Sequence, residues 1–159
     1  TARRALVYAL RLNKVEATPG EIEQVMAAWK ELTAYPDVLP GLRRLKGRYR
    51  LVALSNADAW FLQHLVRDRI RFDFDGAISV DTVGAFKPHP AVYRRAAAIM
   101  GLEPQQVMMV SSNSFDVMGA RACAMRGAYV NREDLPYEDS PFQPDLTVPD
   151  FDALADALL

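Results

Sequence analysis

The 159-residue sequence contains one cysteine, two histidines and no long apolar run. Because Cys123 stands alone, no disulfide can form within the chain, and this is typical of a reducing compartment; we expect a cytoplasmic protein. His64 lies inside a predicted helix and His89 lies between two prolines, which leaves no candidate for a Ser-His-Asp triad. No stretch approaches the ~20 apolar residues that a membrane-spanning helix needs.

Metal-binding, phosphate-binding and strongly charged patterns are also missing from the sequence. No cluster of His, Cys, Asp or Glu has metal-ligand spacing, and no glycine-rich loop of the G-x-G-x-x-G or P-loop type occurs. The 19 basic and 20 acidic residues give a net charge of -1, which offers no electrostatic basis for binding nucleic acid or an anionic membrane. The composition, half hydrophobic and a quarter charged, is that of an ordinary globular domain.

The N-terminal part of the sequence predicts two helices. Residues 1–13 have helical apolar spacing, and Thr18-Pro19-Gly20-Glu21 is a typical helix start, with Thr18 and Glu21 spaced for a capping box. Such a hairpin is too small to bury much core alone. We therefore interpret residues 1–36 as a partial helical cap, followed by a core domain over residues 37–159. In the proline-rich hinge between them, Pro40 is predicted to open a short helix.

The core domain alternates strands with helices. This alternation predicts an α/β fold, with a Rossmann-like parallel sheet covered by helices on both faces. The predicted strands are 50–54, 77–80, 107–110, 128–130 and 146–148, and the predicted helices are 58–68, 90–100, 116–125 and the segment that follows Asp150.

Polar residues follow the predicted strands at the ends that share one edge of a parallel sheet. Ser55 and Asn56 follow the first strand and offer neutral donors to an anion, close to a helix N-terminus. Lys87 follows the second strand after a loop and can neutralise a carboxylate. The third strand runs into the polar turn 111–116, whose Asp116 can pair with Lys87 or position a water. We call this edge the rim and expect the chemistry there.

Three rim segments also carry a resemblance to a known family. Leu54-Ser55-Asn56, the segment Phe86-Lys87-Pro88-His89-Pro90-Ala91-Val92-Tyr93, and Val110-Ser111-Ser112-Asn113-Ser114-Phe115-Asp116 resemble the second, third and fourth motifs of the haloacid dehalogenase superfamily. Within that superfamily they are most similar to the (S)-2-haloacid dehalogenases. Tyr35-Pro36-Asp37-Val38 and Val130-Asn131-Arg132 fit the same group, so the resemblance covers nearly the whole chain.

The fourth motif separates dehalogenases from phosphatases of this superfamily. The phosphatases carry two acids there, spaced Asp-x-x-x-Asp, which hold magnesium. Ser112 stands at the first acid position of this sequence and only Asp116 remains. Because Mg²⁺ prefers carboxylate oxygens and water, the resemblance implies a metal-free hydrolase without a cofactor.

The resemblance implies hydrolytic dehalogenation of short-chain (S)-2-haloacids to (R)-2-hydroxyacids through an aspartyl-ester intermediate. It implies catalytic roles for one group of residues and substrate-binding roles for another. The catalytic group is Lys87, Ser111, Asn113 and Asp116, and the substrate-binding group is Ser55, Asn56, Tyr93 and Phe115. Phe115 departs from the tryptophan common at that place, so its halide contact would be a ring edge without an indole N–H.

In the family, the attacking aspartate lies on a first strand that precedes the cap, and we expect this strand to be absent from the chain. It would lie between residues 51–54 and 107–110, so we expect the chain alone to be inactive. The implied partners are a 2-haloacid and halide, with a homodimer or a complementing N-terminal segment also possible. Two alternatives stay open: a phosphatase-type relative, and a non-catalytic fragment that acts as an interaction module.

Overall fold

The computed structural model describes residues 2–159, apart from the side chain of Thr82. It begins with a helical hairpin, α1 (Ala2–Leu12) and α2 (Pro19–Ala28), which ends in a 3₁₀ turn. The predicted capping box is confirmed: the Glu21 backbone N–H donates to Thr18 Oγ1 at 3.2 Å, and the Thr18 N–H donates to Glu21 Oε2 at 2.7 Å. No described residue of α1 or α2 is buried.

Helices and strands alternate after the hairpin, as the sequence predicts. The remaining helices are α3 (Val38–Leu45), α4 (Ala59–His64), α5 (Pro90–Met100), α6 (Ser114–Ala122) and α7 (Phe151–Leu158). The strands are β1 (Val52–Ser55), β2 (Gly76–Ser79), β3 (Met108–Ser111), β4 (Arg126–Val130) and β5 (Leu146–Val148). Short 3₁₀ turns cover Trp29–Glu31, Val80–Thr82 and Pro104–Gln106, and a π-helix covers Leu65–Ile70.

All strand pairs are parallel, but the strands form two sheets. β1 pairs with β2, and β4 lies between β3 and β5. The α/β fold class is thereby confirmed. Within the described residues, β1 and β3 each pair on one side only, and a cavity of about 930 Å³ lies between them. All four residues of β1 and all four of β3 line this cavity.

Three helix boundaries differ from the prediction. α3 begins at Val38, before Pro40, because a proline in the first turn occupies a position whose N–H has no partner within the helix. α6 begins at Ser114, before the predicted residue 116. The helix predicted over 58–68 changes to π-helical hydrogen bonding after His64, a change that apolar spacing does not signal.

Two clusters of buried side chains form the core. The first packs β4 and β5 against α3 and α7, and includes Val130 and Leu154, each about 1% exposed. The second packs α5 and α6 against β3, and includes the fully buried Tyr93 and the buried Cys123. These clusters fix the strand ends from which the rim residues project.

Candidate active site

Lys87, Asp116 and Tyr93 form a closed polar cluster at the rim end of the cavity. Lys87 Nζ donates to Asp116 Oδ2 at 2.6 Å and to the backbone carbonyl of Leu54 at 3.1 Å. The Tyr93 hydroxyl donates to the other carboxylate oxygen, Oδ1, at 2.9 Å. The side chains of Lys87 and Asp116 are 12% and 3% exposed. A buried carboxylate with a donor on each oxygen is held in one orientation.

The local fold explains how a carboxylate comes to be buried there. β3 ends at Ser111, and Asn113 occupies the N-cap position of α6, so Asp116 falls in the first turn of this helix. The unpaired N–H groups and the dipole of a helix N-terminus favour a negative charge at this place. The lysine that completes the ion pair comes from the segment between β2 and α5. Two separate parts of the chain therefore meet at one charge pair.

Gly119 allows Tyr93 to reach Asp116. A Cβ atom at position 119 would lie 2.6 Å from the Tyr93 hydroxyl oxygen and 2.8 Å from Pro88 Cβ, which is closer than real Cβ contacts. Burial, and then the negative charge of Asp116, raise the pKa of the Tyr93 hydroxyl well above its ordinary value. Tyr93 therefore remains a donor to Asp116 at any ordinary pH.

Asn56 holds the backbone of Lys87. Its Oδ1 accepts from the Lys87 N–H at 2.8 Å and its Nδ2 donates to the Lys87 carbonyl at 3.3 Å. Ser55 Oγ accepts from the Ala57 N–H at 3.1 Å. The cap of α4 is a different residue, Asp58, which accepts from the Phe61 N–H at 2.8 Å. Ser55 and Asn56 thus shape the turn and the lysine loop, and do not cap the helix.

The structure brings most of the predicted site residues to the cavity. Five of the eight line it: Ser55, Lys87, Ser111, Asn113 and Asp116. Ser111 Oγ accepts from the Asn113 N–H at 3.1 Å and stabilises the polar turn after β3. Asn56 and Phe115 are not among the lining residues: Asn56 accepts from the Lys87 backbone N–H, and Phe115 is 42% exposed.

The substrate contact predicted for Tyr93 needs correction. Tyr93 is completely buried, and its hydroxyl contacts Asp116. A side chain without exposed surface cannot touch a molecule in the cavity. Its geometry is that of a residue that positions Asp116.

One prominent ion pair near the rim was not predicted. Arg132, which follows β4, donates from Nη1 and Nη2 to the two carboxylate oxygens of Asp37 at 2.9 and 2.7 Å. Asp37 also accepts from the Phe151 N–H at 2.9 Å, and the guanidinium lies 4.3 Å from the ring centre of Tyr35. The Arg132 hydrogen bonds lower the pKa of Asp37. The pair fixes the hinge to the rim across 95 residues of sequence, a separation for which local patterns give no signal.

Among residues 2–159, no group of three or more His, Cys, Asp or Glu side chains is arranged to hold a metal ion. No described helix is both long and apolar enough to cross a bilayer.

Comparison with known proteins identifies relatives of the chain. The model of the haloacid dehalogenase-like hydrolase family matches residues 1–124. The chain is 32% identical over 152 residues to haloacetate dehalogenase H-2 of Moraxella sp. (strain B), covering 94% of this chain and 68% of that one. It is 36% identical over 146 residues to (S)-2-haloacid dehalogenase 4A of Burkholderia cepacia, covering 87% and 62%. The chain thus spans about two thirds of the length of these two relatives.

The solved structures agree with the sequence relatives. The L-2-haloacid dehalogenase of Xanthobacter autotrophicus, solved with chloropropionic acid covalently bound, superposes with a TM-score of 0.83 at 30% identity. The match covers 98% of this chain and 73% of that one. The rim residues that carry the motif resemblance lie within the segment that the family model matches. The chain belongs to the haloacid dehalogenase-like hydrolase family.

Proposed function

We propose that the protein carrying this chain hydrolyses the carbon–halogen bond of short-chain (S)-2-haloacids and releases (R)-2-hydroxyacids. The observation that carries the proposal is the position of Lys87 at the head of the cavity, between the Leu54 carbonyl and Asp116. A buried ammonium group attracts both the carboxylate of a haloacid and a carboxylate nucleophile. The names of the relatives, haloacetate dehalogenase and (S)-2-haloacid dehalogenase, support this substrate class.

Asp116 is poorly suited to be the attacking group. It is the one carboxylate among the described residues that line the cavity. Both of its oxygens already accept hydrogen bonds, from Lys87 and from Tyr93, which reduces their nucleophilicity. We therefore infer that the attacking aspartate lies on a further strand, which fills the cavity and pairs with both β1 and β3. Its C-terminal end would meet Lys87.

The proposed chemistry has two steps. In the first, an aspartate oxygen attacks C2 of the haloacid, a C–O bond forms, and the halide leaves with the electron pair of the C–halogen bond. The configuration at C2 inverts in this step. In the second, water attacks the carbonyl carbon of the aspartyl ester and the bond between that carbon and the ester oxygen breaks. One proton of the water passes to the departing oxygen, which becomes the hydroxyl of the hydroxyacid, and the other is released to solvent as the aspartate carboxylate is restored. The covalently bound chloropropionic acid in the Xanthobacter enzyme supports an intermediate of this kind.

The rim residues then have separate roles in the proposal. Lys87 orients the nucleophile, and the Asp116–Tyr93 pair holds Lys87 in place. Ser55 Oγ, at the end of β1, binds the substrate carboxylate, and Asn56 fixes the lysine loop beside the departing halide. Ser111 and Asn113 place the hydrolytic water, and the ring edge of Phe115 contacts the halide. The Lys87 ammonium provides the electrostatic stabilisation of the negative charge that develops on the halide and on the ester oxygen, and Asp116 contributes by keeping that ammonium in position.

We further propose that the reaction is independent of metal. Ser112, at the position of the first magnesium-binding acid of the phosphatases, is exposed in the turn and offers a hydroxyl instead of a carboxylate. A cytoplasmic location and a homodimer stay predictions from the sequence.

Halide release tests this proposal. The protein expressed from its complete gene is given (S)-2-chloropropionate, with the (R) enantiomer as a control, in the presence of EDTA. We expect chloride and (R)-lactate from the (S) enantiomer alone. The Lys87→Ala variant should lose at least ~10³-fold in kcat/KM, because it removes a charge that acts in the transition state. Lys46→Ala, which removes a lysine paired with Asp75 away from the cavity, is the matched control and should retain activity.

Two results would contradict the proposal. One is EDTA-sensitive hydrolysis of a phosphate ester such as p-nitrophenyl phosphate without any halide release, which would support a phosphatase. The other is an equal loss of activity in the Lys46 and Lys87 variants. The 159-residue chain by itself is expected to release no halide, even in a single turnover, because its one cavity carboxylate is Asp116.

A further inference from the structure

The α1–α2 hairpin is held to the rest of the molecule by polar contacts. Its helices contain no described buried residue, so apolar packing contributes little to its attachment. The contacts are concentrated on the last residues of the hairpin. Arg69, in the π-helix, donates to the carbonyls of Glu31 at 2.8 Å and Leu32 at 3.1 Å. His64, at the end of α4, lies 3.0 Å from the carbonyl oxygen of Lys30.

His64 makes a second contact that determines its charge. Its Nε2 faces the Lys30 carbonyl, and its Nδ1 lies 2.8 Å from Asp68 Oδ2. A carbonyl and an ionised carboxylate can only accept hydrogen bonds, and a neutral imidazole has one N–H. Both bonds therefore form together only when the ring carries a proton on each nitrogen. In either neutral tautomer, one ring lone pair would point at an acceptor.

The charged groups around His64 have opposing effects. The Lys30 carbonyl and then the Asp68 carboxylate raise the pKa of His64, while burial and, to a smaller extent, the Arg69 guanidinium lower it. Trp60 stacks on the imidazole, with ring centres 5.8 Å apart and planes at 7°, and Lys30 Nζ lies 5.6 Å from the Trp60 ring. Stacking on an aromatic face also favours the cationic ring. Glu31 pairs with Arg69 Nη1 at 3.3 Å and partly neutralises it.

We propose that His64, Asp68 and Arg69 form a proton-dependent clasp, which fastens the α1–α2 hairpin to α4 when His64 is protonated and loosens when it is neutral. Between pH 6 and pH 9, ordinary carboxylates, lysines and arginines keep their charge. The imidazole is thus the group of this cluster whose charge changes in that range. Because the pKa of His64 is raised on folding, the attachment is complete at low pH and is lost as pH rises through the folded value.

The clasp is independent of the proposed dehalogenation and has its own hinge. On the C-terminal side of residues 29–32, the chain runs through Tyr35 to Asp37, which Arg132 holds at the rim. Loosening the clasp would leave Asp37 in place as the pivot. α4, which carries His64, begins just after the Ser55–Asn56 turn. The clasp therefore sets the position of the hairpin relative to the rim.

The imidazole of His64 permits a direct test by NMR. Imidazole ¹⁵N resonances of the protein expressed from its complete gene are followed from pH 5.5 to 9, and the resonances that disappear in His64→Gln are those of His64. We expect His64 to titrate above 6.5, the ordinary value for histidine. Replacing its carboxylate partner, in Asp68→Asn, should lower the His64 midpoint. Asp139→Asn, a change at an exposed aspartate in the loop after β4, is the matched control and should leave it unchanged.

Hydrogen exchange tests the attachment itself. In the wild-type protein, protection of amides 29–34 should fall about fivefold between pH 6 and pH 9, after correction for intrinsic exchange, as one solvent-exposed hydrogen bond is lost. In His64→Gln, which has no titrating ring, protection should be the same at both pH values. Constant protection in the wild type, or an unchanged fall in His64→Gln, would overturn the proposal. So would a His64 midpoint that Asp68→Asn does not move.

Discussion

The two sheets differ in how completely their strands are buried. β4 pairs on both sides, and residues 127–130 are all buried. β1 pairs on one side, and all four of its residues are only partly buried. β3, whose free edge faces the cavity opposite β1, is also largely part-buried. Burial therefore follows pairing: β4, which is paired on both sides, is the most completely buried strand, and β1, β2 and β3, which are paired on one side, are mostly partly buried.

Both sheets are packed against helices through apolar side chains. The β3–β4–β5 sheet packs against α3 and α7 through side chains such as Val130 and Leu154. On the β1–β2 side, Leu62 and Ile78 are buried, and Asp75 adds a polar link by accepting from the Leu51 N–H at 2.7 Å. Lys87 connects the two sheets, since Nζ binds the Leu54 carbonyl of β1 and Asp116 of α6. The cluster that defines the site is thus also a bridge across the cavity.

Removing the Lys87 link between the two sheets is expected to cause the largest loss of stability. Lys87→Met leaves the carboxylate of Asp116, 3% exposed, without its cation. We expect the free energy of unfolding to fall by about 3–5 kcal/mol, measured by urea denaturation. Lys46→Met removes the cation of an ion pair whose side chains are about one-third exposed, so water compensates and the loss should be far smaller. Equal losses would show that Lys87 does not link the sheets.

Because the two sheets differ in burial, the same leucine-to-alanine truncation should cost unequal amounts of stability in each. Leu154→Ala removes a side chain that is 1% exposed and should lower the free energy of unfolding by about 2–5 kcal/mol. Leu54→Ala, in β1, removes a partly buried side chain that borders the cavity, and we expect a smaller loss. Urea denaturation of both variants makes the comparison. An equal or larger loss for Leu54→Ala would contradict the conclusion that the β3–β4–β5 sheet is more completely buried than the β1–β2 sheet.

Because α5 and α6 approach closely at Gly119, adding a single methyl group there should lower the free energy of unfolding. In Gly119→Ala, the new Cβ would overlap the Tyr93 hydroxyl and Pro88. We expect a loss of about 1–3 kcal/mol on urea denaturation, together with weakening of the Tyr93–Asp116 bond. Gly20→Ala is the control, because its Cβ would meet only Thr18 Oγ1 at 3.9 Å. A Gly119 variant as stable as the Gly20 variant would show that this contact relaxes freely.

The Asp37–Arg132 pair predicts a smaller, pH-dependent effect. Because the pKa of Asp37 is lowered on folding, its contribution is present above the unfolded value and is lost as pH falls through the folded value. Asp37→Asn should lower the free energy of unfolding by about 1–3 kcal/mol at pH 7. The difference from wild type should shrink between pH 5 and about pH 3. Urea denaturation of both proteins across this pH range measures the difference. A difference that does not change with pH would contradict the proposed coupling between the charge of Asp37 and stability.

The sequence predicts the order and type of the elements because each depends on local signals. The capping box at Thr18, the helix over residues 90–100 and the helix that follows Asp150 are all confirmed. The helix starts at Val38 and Ser114 and the π-helix after His64 differ from the prediction. A proline is tolerated throughout the first turn of a helix, and apolar spacing does not distinguish α-helical from π-helical hydrogen bonding.

The sequence predicts which residues form the candidate site better than it predicts the contacts that those residues make. Five of the eight predicted residues line one cavity, because parallel strands bring their C-terminal ends to one edge. The burial of Tyr93 depends on Gly119, and the partner of Asp37 is 95 residues away. Such contacts depend on packing between elements distant in sequence, and no local pattern records them.

An experimental structure of the protein expressed from its complete gene tests the central claim most directly. The account predicts an additional parallel strand that is hydrogen-bonded to both β1 and β3, with a carboxylate at its C-terminal end within hydrogen-bonding distance of Lys87 Nζ. Direct pairing of β1 with β3, or a strand there that brings no carboxylate to Lys87, would contradict it.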